Sequence, residues 1–322
     1  VAVIVPVRDR RDLLAACLDA VAPQVRGLGE VVVVDDGSSD GSRELAEARA
    51  AAGDPVRVLD AGGAGAVAAR SLGVAATTAP VLAFTDSDCV PEPGWLAAGL
   101  AAVDAGAEMV VGITLPARAP GLHERTVTAT VEDGLYATCN LFVTRDAFEA
   151  AGGFDAEAGA RLGSRPGPAL RGLGFGEDTM LGWRIRRAGR VRALAAGAVV
   201  RHHVFGFEAR EHVQRAWQAG GFCGLVREVP ELRGGPVLRH GVFLGTARRV
   251  PLYLAVLGLL AGRRRVAAAG VAVWLGWHAR DVARVERAWS RRVKVLPVVA
   301  AGDAVTAASL VVAGVRTRSP VL

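Results

Sequence analysis

The chain has 322 residues, 51% of them hydrophobic but only 5% aromatic, and carries a formal net charge of +6. That length and apolar content exclude a disordered chain and allow one large domain or two modest ones. Cys17, Cys89, Cys139 and Cys223 are scattered, with no C-x-x-C or zinc-type Cys/His spacing. They argue against a disulfide scaffold or zinc module and fit a reducing compartment.

In chain order, Val1 to Pro6 reads as a strand entering a loop, with no signal segment visible and, for want of an initiator Met, a trimmed N-terminus left open, and Asp12 to Val21 has helical spacing. Val31 to Val34 is a second strand, followed by Asp35-Asp36-Gly37-Ser38-Ser39-Asp40-Gly41. A helix is expected over 42–52, a strand over 56–59, a helix over 67–76 and a strand over 81–85. Continuous apolar strands alternating with helices predict an α/β fold with a mostly parallel sheet covered on both faces. Ligands of such sheets bind beyond the carboxyl ends of the strands. Asp9, Asp35, Asp36, Asp86 and Asp88 all fall at such ends.

Further on, short strands are expected at 109–114, 139–144, 191–193 and 198–200, with a helix over 179–188. The composition shifts near residue 228, which predicts a domain over 1–228 and a helical extension over 229–322. Residues 235–322 hold 14 basic and 3 acidic side chains, a net of +11, so the other 234 residues carry −5. Val250 to Gly262 and Val266 to Trp277 are apolar runs around Arg263-Arg264-Arg265, each shorter than the ~18–20 residues that cross a bilayer. Asp281 to Val293 is expected to form one amphipathic helix. A basic and apolar tail predicts an anionic membrane surface as partner rather than nucleic acid. Packing on the first domain, dimerisation and a short transmembrane or re-entrant hairpin, made costly by three arginines at its bend, are the competing uses of the tail, and the oligomeric state is not legible.

Individual motifs have bland and chemical readings. Asp86-Ser87-Asp88 suits a turn. It is equally a D-x-D that, in extended backbone, aims two carboxylates at one Mg²⁺ or Mn²⁺. Asp35 and Asp36 suit a tight turn, or bonds to a base and ribose. Arg70 is a surface arginine or a guanidinium for a diphosphate. Glu177 and Asp178 complement a helix N-terminus, or supply a general base. His202 and His203 end a strand, and a neutral imidazole there can complete a divalent site.

Their order resembles glycosyltransferase family 2. The stretches that carry the resemblance are Val3-Ile4-Val5-Pro6-Val7-Arg8-Asp9, Val33 to Ser42, Ala69-Arg70-Ser71-Leu72-Gly73, Thr85-Asp86-Ser87-Asp88, Gly152-Gly153-Phe154-Asp155 and Gly176-Glu177-Asp178, over Val1 to about His203. The resemblance implies a GT-A fold and inverting transfer of one sugar from a nucleotide-diphosphate sugar to a hydroxyl acceptor, such as a lipid-linked or cell-envelope glycan. It implies a nucleoside pocket of Pro6, Arg8, Asp35 and Asp36, with Arg70 and Asp86 at the donor diphosphate. Asp86, Asp88 and His202 would hold the metal, with His203 as an alternative, and Asp178 would be the base with Glu177 its partner. The basic, apolar tail, for its part, predicts peripheral attachment to the cytoplasmic face of the membrane. Ser71 stands where the family commonly has Asn. The loop Ala156 to Phe175 is longer than the usual link and is the expected lid. Gln214-Arg215-Ala216-Trp217 only approximates the signature of processive members, which points to single-sugar transfer. A non-catalytic nucleotide-binding module and a metal-dependent nucleotidyltransferase are the rival readings.

Overall fold

The computed structural model describes residues 1–164, 174–245, 247–286 and 289–322. Two compact units divide the chain, the first comprising Val1–Ala119, Thr126–Ala158 and the described part of 172–204. It contains β1 (Ala2–Val7), α1 (Arg11–Val25), β2 (Glu30–Asp35), α2 (Ser42–Ala51), β3 (Val56–Asp60), α3 (Ala66–Ala75), β4 (Val81–Thr85) and β5 (Cys89–Pro91). These are followed by α4 (Trp95–Asp104), β6 (Met109–Pro116), β7 (Asn140–Thr144), α5 (Arg145–Ala150), the first residue of α6 (Ala158–Arg161), whose remainder belongs to the second unit, α7 (Glu177–Arg187) and β8 (Arg192–His202).

One eight-stranded sheet runs in the order β3-β2-β1-β4-β7-β6-β8-β5. The half from β3 to β4 is parallel, β7 is antiparallel to both neighbours, and β5 is antiparallel to β8. Val3, Ile4, Val32 and Val33, which take in both faces, are fully buried, as continuous apolar strands covered on both faces require. Helix α3 lies close on this sheet through Gly73. A Cβ there would sit 2.7 Å from the Ile4 side chain and 3.1 Å from that of Val34. This approach fixes the height of Arg70, one turn earlier on the same helix.

The two short strands expected over 191–200 are one strand, β8, whose parallel pairing with β6 slips between Gly112 and Ile113. Asn140 holds the slip. Its Nδ2 donates to the carbonyls of Ile113 and Ala198, both at 2.9 Å, and its Oδ1 accepts from Trp95 Nε1 at 2.8 Å. One buried amide thus satisfies backbone groups that the irregular ladder leaves open. Helix α4, strand β5 and helix α5 have no counterpart among the expected elements.

The second unit comprises Pro120–Arg125, the described part of 159–171 and Phe205–Leu322. It holds α8 (Ala209–Gln218), α9 (Gly221–Glu228), the β9 (Leu238–Arg239) and β10 (Phe243–Leu244) hairpin, α10 (Val250–Leu260), α11 (Arg264–Val285) and α12 (Trp289–Thr317). Packing therefore divides the chain after Val204, whereas composition places the boundary near 228. The reason is α12, whose Ser309 Oγ donates to the Ala216 carbonyl of α8 at 3.2 Å and whose Leu310 carbonyl accepts from Cys223 of α9.

The single helix expected over 281–293 is broken. Helix α11 ends at Val285, Glu286 is extended, and Arg292 donates back to the carbonyls of Ala283 and Glu286. Those bonds satisfy the open carbonyls of a helix C-terminus. Nor are all C-terminal apolar segments short. Helix α12 has 29 residues and is long and apolar enough to cross a membrane, with 39% of that stretch buried inside the protein. Asp303 and Pro297 hide it from a reading of apolar runs.

Replacing Asn140 by Ala should orphan two buried carbonyls and the Trp95 N–H together. At about 1–3 kcal/mol for each stranded group, the full chain should lose about 3 kcal/mol or more in urea unfolding. A loss below about 1 kcal/mol would show that Asn140 is not the clamp.

Candidate active site

The parallel strands end together at one edge of the first unit. The β1–β2 register pairs Val7 with Asp35, so Arg8 and Asp36 emerge side by side, with Arg8 Nη1 3.7 Å from Asp36 Oδ2. Asp36 is buried and its Oδ1 accepts from Gly65 N at 2.8 Å, tying the end of β2 to the start of α3. Asp35 accepts from Ser38 N with both oxygens, at 3.2 and 3.3 Å. Asp9 accepts from Ser39 N at 2.7 Å and from its hydroxyl at 3.1 Å. The turn reading of this loop is thus realised, and it leaves Arg8 and the rim of the acid pair at the strand ends. Pro6 lies within β1, opposite Val34.

Asp86 and Asp88 do not converge on one point. Strand β4 stops at Thr85, and a backbone bond from Cys89 N to Asp86 O at 3.0 Å closes a turn over 86–89. The alternation of extended backbone fails there, and each carboxylate finds its own partner. Asp86 Oδ1 accepts from Arg70 Nη2 at 2.6 Å, and the other arm of Arg70 lies 3.6 Å from Glu177 Oε1. Arg70 and Glu177 are both buried, so their ion pair is shielded from solvent. Glu177 Oε2 and Arg70 Nε are buried without hydrogen-bond partners. Arg70 thus sits between two carboxylates and is not the exposed surface residue of its bland reading.

Asp178 follows Glu177 in the first turn of α7, behind a left-handed Gly176 with φ 77°. Its Oδ1 accepts from Thr179 N at 2.7 Å. Burial, and then the neighbouring Glu177 charge, push the Asp178 carboxyl from 3.8 up to about 7. The helix dipole acts the other way but is worth roughly 0.3–1 kcal/mol, less than one pKa unit, so burial wins. Burial also raises Glu177, against the pull of Arg70.

On the far side of the turn, β5 pairs with β8 so that Cys89 faces His202. His202 is buried, and its Nε2 lies 3.6 Å from Asp88 Oδ1. Its Nδ1 is 2.7 Å from the His203 carbonyl and 3.2 Å from Thr126 Oγ1. A carbonyl only accepts, so Nδ1 carries the proton and Nε2 presents its lone pair toward Asp88. That donor set fits a divalent cation. His203 instead gives its backbone N–H to Asp88 O at 2.8 Å, as alternation along the strand requires. Asp88, Cys89 and His202 are the group close enough to share one ion among the described residues. The Cys89 thiol is held protonated by its bond to Cys139 and by burial, which leaves the carboxylate and the imidazole as the competent donors. Thr126 is the contributor that sequence reasoning missed, and its Thr-Val-Thr-Ala-Thr context carries no signal. The expected lid over 155–175 and the approach Gly172 to Gly176 lie partly outside the described residues.

This is an α/β domain with acidic and basic groups gathered where the strands end. The model for glycosyl transferase family 2 matches residues 2–154. Glycosyltransferase AglE of Haloferax volcanii is 32% identical over 168 residues, covering 48% of this chain and 55% of AglE. The uncharacterized glycosyltransferase YibD of Escherichia coli is 34% identical over 86 residues, covering 27% of this chain and 25% of YibD. The chain thus spans about half of the first of these relatives and a quarter of the second. Two solved structures share the fold along nearly the whole chain. The mannosyltransferase PcManGT from Pyrobaculum calidifontis, in complex with GDP-Man and Mn²⁺, superposes with a TM-score of 0.53 at 17% identity, over 98% of this chain and 86% of that one. TarS of S. aureus, residues 1–349 in complex with UDP-GlcNAc, gives 0.53 at 15% identity, over 99% and 92%. The fold is GT-A, and over its N-terminal part the chain is similar to glycosyltransferase family 2.

Replacing Arg70 by Met should leave Asp86 and Glu177 without their shared cation. Breaking a buried pair from one side costs about 3–5 kcal/mol, so the melting temperature should fall sharply. Adding Glu177→Gln should restore part of the loss. A double variant no more stable than the single one would show that the two residues are not coupled.

Proposed function

We propose that the protein transfers a single sugar, with inversion, from a nucleotide-diphosphate sugar to a hydroxyl acceptor. The observation that carries the reading is the arrangement around Arg70. One buried guanidinium lies between Asp86, at the end of β4, and Glu177, beside Asp178 at the start of α7. A carboxyl raised to about 7 is suited to general-base work near neutrality. The neighbours that bind GDP-Man with Mn²⁺ and UDP-GlcNAc support a nucleotide-sugar donor and a divalent ion on this fold.

In this proposal Arg8, Asp35 and Asp36, with Pro6 behind them, receive the nucleoside beyond β1 and β2. Asp88 and His202 hold Mg²⁺ or Mn²⁺, and Asp86 orients Arg70 toward the diphosphate. A bound ion supplies Lewis-acid neutralisation of the leaving nucleoside diphosphate. Asp178 takes the proton from the acceptor hydroxyl, whose oxygen attacks the anomeric carbon on the face opposite the leaving group. Burial, and then Glu177 anchored by Arg70, keep the Asp178 carboxyl above its ordinary range, so the base does not stay ionised against a mildly acidic medium. The acceptor is a lipid-linked or cell-envelope glycan, and the basic tail attaches the protein peripherally to the cytoplasmic face of the membrane. The net of +11 over residues 235–322 supports that attachment.

Incubation with a panel of nucleotide sugars and Mn²⁺, scored by nucleoside diphosphate release, tests the activity. Release of pyrophosphate instead would make the protein a nucleotidyltransferase, and binding without turnover a non-catalytic module. Asp178→Asn should keep donor affinity and lose turnover by at least about 10²-fold, the low end of the usual contribution of a positioned base. The wild type should gain turnover as pH rises through about 7, because the base works deprotonated. A flat profile from pH 5 to 9 would remove Asp178 from that role.

The histidine choice has its own test. His202→Ala should weaken Mn²⁺ binding in calorimetry of the protein alone, by about 10-fold or more, as loss of a direct ligand should exceed the outer-shell minimum. His203→Ala should leave it within twofold. The opposite pattern would reverse the assignment.

A further inference from the structure

The tail contains three helices rich in apolar residues, and they differ in which side chains they hide. Helix α12 turns Val299, Thr306, Ser309 and Leu310 inward. Its one carboxylate, Asp303, accepts from Arg249 Nε at 2.7 Å and Trp274 Nε1 at 2.9 Å, with His278 Nε2 at 3.3 Å. These partners hold the Asp303 carboxyl down at about 2, against its burial. The helix that is long enough to cross a membrane is therefore fastened into the second unit by an ionised residue at mid-length.

Helices α10 and α11 have the opposite organisation. They pack through small residues. A Cβ at Gly270 would lie 2.5 Å from the Pro251 carbonyl, and Ala255, Gly258 and Ala267 are the buried positions nearby. Trp274 and Val282 of α11 are buried farther along, but near the turn between the two helices the large side chains point out, with Leu257 60%, Leu259 62% and Leu260 80% exposed. A water-soluble helix pair buries its large apolar side chains, whereas helices in lipid meet through small ones. Residues 241–280 contain six arginines and no Asp or Glu. Three of the arginines, Arg263 to Arg265, are exposed at the turn beside Leu260.

We infer that the α10–α11 hairpin, and not α12, is the element that enters the anionic lipid surface, with Leu257, Leu259 and Leu260 in the acyl boundary and Arg263 to Arg265 among the headgroup phosphates. The inference rests on the membrane attachment proposed above and names the element responsible for it. Charge complementarity selects the occupant. An apolar protein partner has no use for three clustered arginines without an acidic residue nearby, whereas an interface of phosphates above hydrocarbon uses both features.

The test is flotation of the full chain with phosphatidylcholine vesicles, with and without phosphatidylglycerol, at low salt. At about 5-fold per arginine, from about 1 kcal/mol each, changing Arg263, Arg264 and Arg265 together to Gln should lower partitioning onto anionic vesicles about 100-fold. Unchanged circular dichroism and melting identify a folded variant. Leu260→Cys and Val315→Cys carrying an environment-sensitive fluorophore locate the contact, because the four native cysteines are buried and Val315 is an exposed position on α12. A blue shift at 260 and none at 315 is expected. Flotation that persists in the Gln variant, or a shift at 315 alone, would overturn the hairpin assignment and leave membrane attachment standing. A wild-type chain that does not float on either vesicle would overturn the attachment itself.

Discussion

The first unit is organised around one buried guanidinium. Arg70 reaches from α3 to the turn after β4 and to the first residue of α7, three elements that are far apart in sequence. Its position depends on the close seating of α3 through Gly73, and hence on the all-apolar faces of β1 and β2 beneath it. Four carboxyl groups, Asp86, Asp88, Glu177 and Asp178, gather around it and the neighbouring turn. One arginine does not balance four carboxylates. Burial first, and then the neighbouring negative charge, raise Glu177 and Asp178, since buried acids short of positive charge retain their protons. Such a site is complementary to a ligand set that brings cationic charge with it, and a divalent ion bound with a diphosphate is of that kind.

Much of this was legible in the sequence for a simple reason. A parallel strand buried on both faces leaves a continuous apolar run, and the polar residues that follow must lie at its carboxyl end. The placement of Asp35, Asp36, Asp86 and Asp88 at strand ends needs no more than that. The direction of each side chain does need more. Asp86 and Asp88 look alike in an extended chain, but the turn closed by Cys89 N sends one to Arg70 and the other to His202. Likewise, nothing local separates His202 from His203. The antiparallel register of β5 on β8 does, because it sets His202 against Cys89 and spends the backbone of His203 on Asp88. Non-local pairing is the information that a single strand does not contain.

The elements that escaped sequence reasoning have the same character. Helix α4 is Trp-Leu-Ala-Ala-Gly-Leu-Ala-Ala-Val-Asp, apolar nearly all round, and so lacks the one-sided period that marks a helix. Strand β8 looks like two strands because its register slips, and Asn140, a distant residue, is what makes the slip tolerable.

The tail shows how a single charge changes the meaning of an apolar helix. Read by hydropathy, α12 is the best candidate to cross a bilayer and α10 is too short to matter. Asp303 reverses that order. A carboxylate with an arginine, an indole N–H and an imidazole around it is satisfied inside protein, and moving it into hydrocarbon would require carrying those partners along. The same bonds draw α11 and the segment before α10 onto α12, through Trp274, His278 and Arg249. What the network leaves outside is the distal part of the hairpin, where, among the described residues, no acidic side chain pairs with Arg263 to Arg265 and the large leucines stay exposed. The charged residue inside the long helix thus decides which part of the tail remains available to a surface beyond the protein.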